Sequence, residues 1–180
     1  MSFWFGFTDR YVSFVIPKPL SKPPIKWISP MFRFALLLLL MLAGPVLAQE
    51  PVTFETDTLR IETEDGRSYP FEIELAITPQ QQRRGLMFRD HLADDAGMLF
   101  LNGDDRIRRF WMKNTFIPLD ILFIRADGTI ANIARMTEPE SEALIKSDGP
   151  VRAVLELRGG LTRELSITAG DRIVYPWLNP

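Results

Sequence analysis

The chain has no cysteine and a single histidine, His91, among its 180 residues. Without thiols there is no disulfide to staple the core, no thiolate nucleophile and no cysteine-held metal. One histidine in the polar stretch 89–95 reads as a solvated loop residue, too little for a nucleophilic triad or a histidine-held metal. Glycine-rich phosphate loops, internal repeats and low-complexity tracts are also missing. The acid pairs Asp94-Asp95 and Asp104-Asp105 lack the spacing of a calcium loop and read as turns. Met87, Met98, Met112 and Met136 offer thioethers, which suit cuprous copper, but three of them sit in apolar runs and read as core filler. We expect no metal and no cofactor.

No apolar run is long enough to span a bilayer comfortably. The longest, residues 34–42, follows Arg33 and precedes Gly44-Pro45 and then Val46-Leu47-Ala48. A basic start, a short apolar segment and a small-residue exit make a secretory signal, with the cut expected before Gln49. We therefore expect residues 1–48 to form a leader with its signal core at 31–48, and translation to begin at Met31. Five of the 14 prolines lie in residues 1–30, an unusual extension for such a signal. The expected product is periplasmic or secreted and touches a membrane only through an uncleaved leader.

Residues 49–180 are enough for one domain with its own core. Setting aside Arg10, Lys18, Lys22, Lys26, Arg33 and Asp9 leaves 16 basic and 22 acidic residues, a net charge of −6. Such a surface repels phosphate backbones, so nucleic acid is not an expected partner.

The pattern in this part is that of strands. Leu59 and Ile61 alternate with polar residues, Asp65-Gly66 marks a tight turn, and Phe71, Ile73 and Leu75 alternate with Glu72 and Glu74. Thr78, Pro79 and Gln81 form a capping box with proline at the first helical position, and Gly85 stops that short helix. Residues 97–101 read as a buried strand, 102–105 as a turn, and 110–112 as the start of another strand. A second hairpin is expected around Asp127-Gly128, joining 120–125 to 129–134. Residues 137–148 read as loop or a short helix. Val151, Ala153, Leu155 and Leu157 alternate with Arg152 and Glu156 in a further strand, 161–165 as a helical turn or two, and 172–175 as the last strand. The expected fold is mainly β, a sandwich-like or partly open barrel with one or two short helices.

The stretch from Phe110 to Ile124 is apolar except for Lys113, Asn114, Thr115 and Asp120. Charges in such a run must be paired or line a cavity. Pro118 marks a bend, so Lys113 and Asp120 are placed to face each other. They either staple two strands as an ion pair or line a pocket, Lys113 as cation and Asp120 as acceptor or base. Trp111 serves as core or as a wall for a planar ligand. Arg83 and Arg84 suit the C-terminal end of the helix, and Arg84 or Arg89 also suits a bidentate anion site beside Lys113.

The blocks Arg84-Gly85-Leu86-Met87, Gly97-Met98-Leu99-Phe100, Phe110-Trp111-Met112-Lys113-Asn114-Thr115 and Ile117-Pro118-Leu119-Asp120 resemble the domain-of-unknown-function 192 family. The resemblance covers about residues 53–175. It implies a compact β-sandwich-like fold in small, often exported proteins, and no established activity. The expected function is binding of a small polar or anionic ligand in a cleft near Arg84, Trp111, Lys113, Asn114 and Asp120. Two alternatives stand beside it: a hydrolase or lyase with Asp120 or Lys113 as general base, and a structural or protein-interaction module of the cell envelope.

Overall fold

A computed structural model describes residues 51–178. The expected leader, its cleavage point and the start at Met31 lie outside the described residues. Among the described residues no helix is long and apolar enough to cross a membrane.

Among these residues, nine strands and two short helices form a mainly β domain. The strands are β1 (Glu55–Glu62), β2 (Ser68–Ala76), β3 (Ala96–Arg106), β4 (Arg109–Phe110), β5 (Leu119–Ile124), β6 (Ile130–Ala134), β7 (Ile145–Lys146), β8 (Val151–Arg158) and β9 (Arg172–Val174). Helix α1 is Pro79–Arg84 and α2 is Leu161–Glu164. Seven strands make one sheet in the order β6-β5-β8-β3-β2-β1-β9, and β4 with β7 makes a small ribbon. A bridge between Thr129 and Arg172 brings the two ends of the large sheet together, so it is nearly closed into a barrel.

Local chemistry explains the elements. The Asp65-Gly66 turn joins β1 and β2, with Gly66 at a φ of 84°, which glycine adopts without steric cost. The capping box at Thr78 and Gln81 is complete, and α1 ends at Gly85. This helix and the loop after it carry the chain from β2 to the parallel β3, a pairing that requires a crossover. Gln82 pins α1 to the sheet by donating to the carbonyls of Leu101 at 2.8 Å and Ala76 at 3.2 Å.

Two expectations are corrected. Residues 102–105 are not a turn: β3 continues to Arg106 and absorbs an irregularity in its pairing with β8 after Leu101. Residues 110–112 do not begin a long strand, because β4 stops at Phe110 and the chain then turns, with Thr115 N–H donating to the Met112 carbonyl at 3.0 Å.

The sheet buries apolar residues on both faces. One face, the barrel interior, holds Leu59, Ile61, Phe71, Ile73, Leu99, Leu122, Ile124 and Leu155, among others. The opposite face of β3, β5 and β8 holds Met98, Phe100, Ile121, Phe123 and Val154 under a cover that contributes Leu86, Leu92 and Met112. Period-two alternation therefore separates two cores, and β5, buried at all six positions, contributes to both.

A cationic cleft floored by a buried glutamate

The outer cover is an irregular segment pinned at several points. Phe110 stands edge-on to Phe100 at 5.0 Å and to Phe123 at 6.1 Å between ring centroids, fixing the segment to the sheet. Met112 N–H donates to the Ser141 carbonyl at 2.8 Å, and the Thr137 hydroxyl donates to the Met112 sulfur at 3.1 Å. Arg108 and Ser147 exchange two hydrogen bonds that anchor the β4–β7 ribbon. Asn114 adopts a φ of 55°, a left-handed conformation that asparagine tolerates well, and its carbonyl accepts from the Phe88 N–H at 2.8 Å.

Between this cover and α1 lies a cleft of about 670 Å³, within the usual range for small-molecule sites. Four of the five expected site residues, Arg84, Trp111, Lys113 and Asn114, line it. Arg108, Arg109 and Glu156, absent from the expected set, line it too. Five cations meet there, Arg83, Arg84, Arg108, Arg109 and Lys113, with Glu156 the one acid of the lining.

Several of these cations are free of acidic partners. Among the described residues Arg83, Arg84 and Arg109 make no ion pair, whereas Arg67, Arg89, Arg106, Arg152 and Arg158 each hold a carboxylate. Arg84 instead lies 4.7 Å from the centre of the Phe88 ring. Lys113 pairs with Glu142 at 2.9 Å and sits 5.2 Å from the Trp111 ring centre, with 42% of its side chain exposed. Arg108 binds Asp104 through Nη2 and leaves a buried Nε without a partner among the described residues.

Glu156 comes from the middle of β8, opposite Met98 of β3 and Ile121 of β5, both members of the outer core. It is only 5% exposed, and its carboxyl makes no hydrogen bond or ion pair with any described residue. Removal from water disfavours the charged form and pushes its pKa up from 4.5 to about 8. The group is mostly protonated at neutral pH, with one O–H to donate and a carbonyl oxygen to accept.

Asp120 departs from expectation. It does not line the cleft and does not meet Lys113. It stands opposite Leu157 and alternates with Ile121, so it shares the interior face with Leu122 and Ile124, while Lys113 belongs to the cover on the other face. Its carboxylate is fully buried and filled by donors. Oδ1 accepts from the backbone N–H of Met136 and of Gly160, each at 2.9 Å. Oδ2 accepts from the Thr162 N–H at 2.9 Å and the Thr162 hydroxyl at 2.5 Å. Asp120 thereby caps α2 from a neighbouring strand, since Gly160, at the N-cap position, has no side chain to do so. A carboxylate with four donors and no exposure is a structural tie.

One signal for the glutamate is present in the sequence. In Arg152-Ala153-Val154-Leu155-Glu156 the nominally polar face carries a valine, the mark of a face that is covered beyond its edge. Among the described residues no group of three or more His, Asp or Glu is placed to hold a metal ion.

The comparisons with known proteins agree with this architecture. No curated protein matches the chain. A crystal structure from Sinorhizobium meliloti 1021, described as a candidate transcription regulator, is 44% identical with a TM-score of 0.67, over 69% of this chain and 96% of that one. Another, a protein of unknown function from Novosphingobium aromaticivorans DSM 12444, is 38% identical with a TM-score of 0.65, over 73% and 90% of the two chains. The sequence profile of DUF192, described as Uncharacterized ACR, matches residues 60–175, and the chain belongs to that family.

Proposed function

We propose that the domain binds a small anionic ligand in the cleft between α1 and the 108–115 segment, acting in the periplasm or outside the cell after cleavage near Ala48. The observation that carries this reading is a charge imbalance: Arg83, Arg84 and Arg109 line a concave site with no carboxylate partner among the described residues, beside Arg108 and Lys113, which hold Asp104 and Glu142, and the one acid of the lining is mostly protonated. The three unpaired arginines repel one another, and an incoming anion relieves that repulsion. Phe110 and Trp111 supply apolar wall, and Asn114 with Gln82 adds amide groups.

In this reading the general-base alternatives fall away. Asp120 is saturated with donors, and Lys113 is a half-exposed ammonium beside Glu142. The regulator description of the Sinorhizobium relative is not carried over, because residues 49–180 carry more acidic than basic charge, which opposes binding to a phosphate backbone.

Thermal unfolding in the presence of phosphate, sulfate and a series of carboxylates tests the reading. An anion at about 100 times its dissociation constant adds roughly 2.7 kcal/mol, several degrees in a domain of this size. The shift should vanish in Arg84→Ala/Arg109→Ala, and absence of any shift in the native protein would refute the reading. The mass of the purified exported protein tests the location: its chain should begin at Gln49.

A further inference from the structure

Building on the anion-binding reading, we propose that the ligand is a hydroxylated carboxylate, of the hydroxy-acid or sugar-acid class, whose carboxylate sits among the cleft arginines and whose hydroxyl engages Glu156.

The argument starts from what each part of the cleft lacks. The rim lacks negative charge: Arg83, Arg84 and Arg109 have no acidic partner among the described residues. The floor lacks a hydrogen-bond partner: Glu156 is more than nine-tenths buried, lines the cleft, and its carboxyl meets no donor or acceptor of the described protein. The carboxyl opens onto the cleft, so a ligand group that displaces water from this floor must satisfy it or leave a polar group unpaired.

Three kinds of ligand group are available to do so. An apolar group would leave the carboxyl unsatisfied. An ammonium would pair with it when ionised, but must enter past Arg83, Arg84 and Arg109, whose charge no described carboxylate offsets. A hydroxyl meets neither obstacle. It is uncharged, and it both donates and accepts, so it satisfies the carboxyl whether that group is protonated or not. The walls agree with a hydroxylated carbon skeleton, because Phe110 and Trp111 present ring surface against which its C–H face can lie. Arg108 lines the same cleft, and its Nη1 makes no hydrogen bond with the described residues.

Gluconate and hexanoate isolate the claim, since both are six-carbon carboxylates of the same charge and only the first carries hydroxyls. Titration calorimetry at pH 7 should show gluconate binding at least tenfold more tightly than hexanoate to the native protein. Glu156→Leu should bring the two affinities together, chiefly by weakening gluconate. Glu156→Gln retains a donor and an acceptor of the same shape and should keep most of the preference, which guards against loss through misfolding. Arg84→Ala/Arg109→Ala should weaken both ligands alike. Equal binding of gluconate and hexanoate by the native protein, unchanged in Glu156→Leu, would overturn the role of the hydroxyl and leave anion binding standing. Binding of neither, with no response to phosphate or sulfate, would overturn both readings.

Discussion

Asp120 and Glu156 are two buried carboxyl groups on adjacent strands, one register position apart, and the protein treats them in opposite ways. Asp120 faces the interior and receives four hydrogen bonds from three residues. Glu156 faces the covered outer side and receives none from the described residues. Burial is nearly the same at 0% and 5% exposure, so desolvation alone does not distinguish them. The difference lies in the local backbone. Near Asp120 the chain turns through Gly159 and Gly160 into a helix whose first N–H groups need an acceptor. Near Glu156 both flanking strands present only side chains, Met98 and Ile121, with their backbone groups committed to the ladder. A saturated carboxylate is a tie, whereas a bare one at the floor of a cleft is the feature on which the proposed ligand site rests.

The largest expected effect comes from breaking the tie. Asp120→Ala removes a charged acceptor from four buried donors, and hydrogen bonds to charged groups are worth roughly 1.5–3 kcal/mol each, not fully additively. A loss on the order of 5 kcal/mol is expected, enough to threaten folding, and should appear as a lower urea midpoint at unchanged slope. Asp120→Asn keeps one accepting oxygen and should lose less. If Asp120→Ala proved as stable as the native protein, the tie would have no energetic substance.

Next comes the bare carboxyl, whose effect has a definite sign. The unfolded chain releases the Glu156 proton near pH 4.5 and the native chain near pH 8. Between these values the native state holds one more proton, so stability falls as pH rises through that window and levels off above it. A tenfold change in proton affinity corresponds to about 1.4 kcal/mol, so the decline amounts to a few kcal/mol. Glu156→Gln has no proton to release at this position. Relative to the native protein it should gain stability steadily from pH 4.5 to pH 8, as followed by urea unfolding across pH. Parallel pH profiles for the two proteins would mean that the carboxyl is solvated or paired in solution.

A smaller effect is expected where the two carboxyls are kept in place. Gly159 passes so close to Pro118 that an added Cβ would lie 2.8 Å from its backbone carbonyl carbon and oxygen. Gly159 N–H also donates to that carbonyl at 2.9 Å. Gly159→Ala must push β5 away from the turn leading to α2, at a cost of about 1–3 kcal/mol. Because it disturbs the approach to Asp120, its cost should add less than fully to that of Asp120→Ala. Full additivity in the double variant would separate the close contact from the tie.

Much of this comparison is legible in the residues themselves, and the rest is not, for physical reasons. Both hairpins, the capping box of α1 and the alternation in β8 follow from local preferences, and local structure keeps them. The family resemblance also holds. The pairing of Lys113 with Asp120 fails because nearness in the chain across Pro118 says nothing about which face of the sheet each residue takes. Asp120 alternates with Ile121 onto the interior, and the Lys113 segment runs over the exterior. Glu156 does not stand out because an acid that alternates with apolar residues ordinarily marks the wet face of a strand. That face is dry here because a segment remote in sequence covers it, and alternation alone carries no information about such a cover. Arg108 and Arg109 are hidden for a related reason: Arg109 opens the β4–β7 ribbon, which is only two residues long on each side, and Arg108 lies just before it.

The smallest effect on stability belongs to the rim, and there the contrast between tie and site is sharpest. Arg84 has no ion pair among the described residues, and its contact with Phe88 is an exposed cation–π pair worth about 0.5–1 kcal/mol. Arg84→Ala should therefore unfold within about 1 kcal/mol of the native protein, close to an ordinary surface change. Its anion affinity should fall by a much larger factor, because a cation that faces a bound carboxylate in a concave site is worth more than one facing water. Raising the salt concentration should weaken anion binding to the native protein and narrow its difference from Arg84→Ala, since screening acts on the same interaction. If Arg84→Ala instead lost several kcal/mol of stability, with its affinity for anions unchanged, the guanidinium would be holding the fold, and the cleft would belong with Asp120 among the ties.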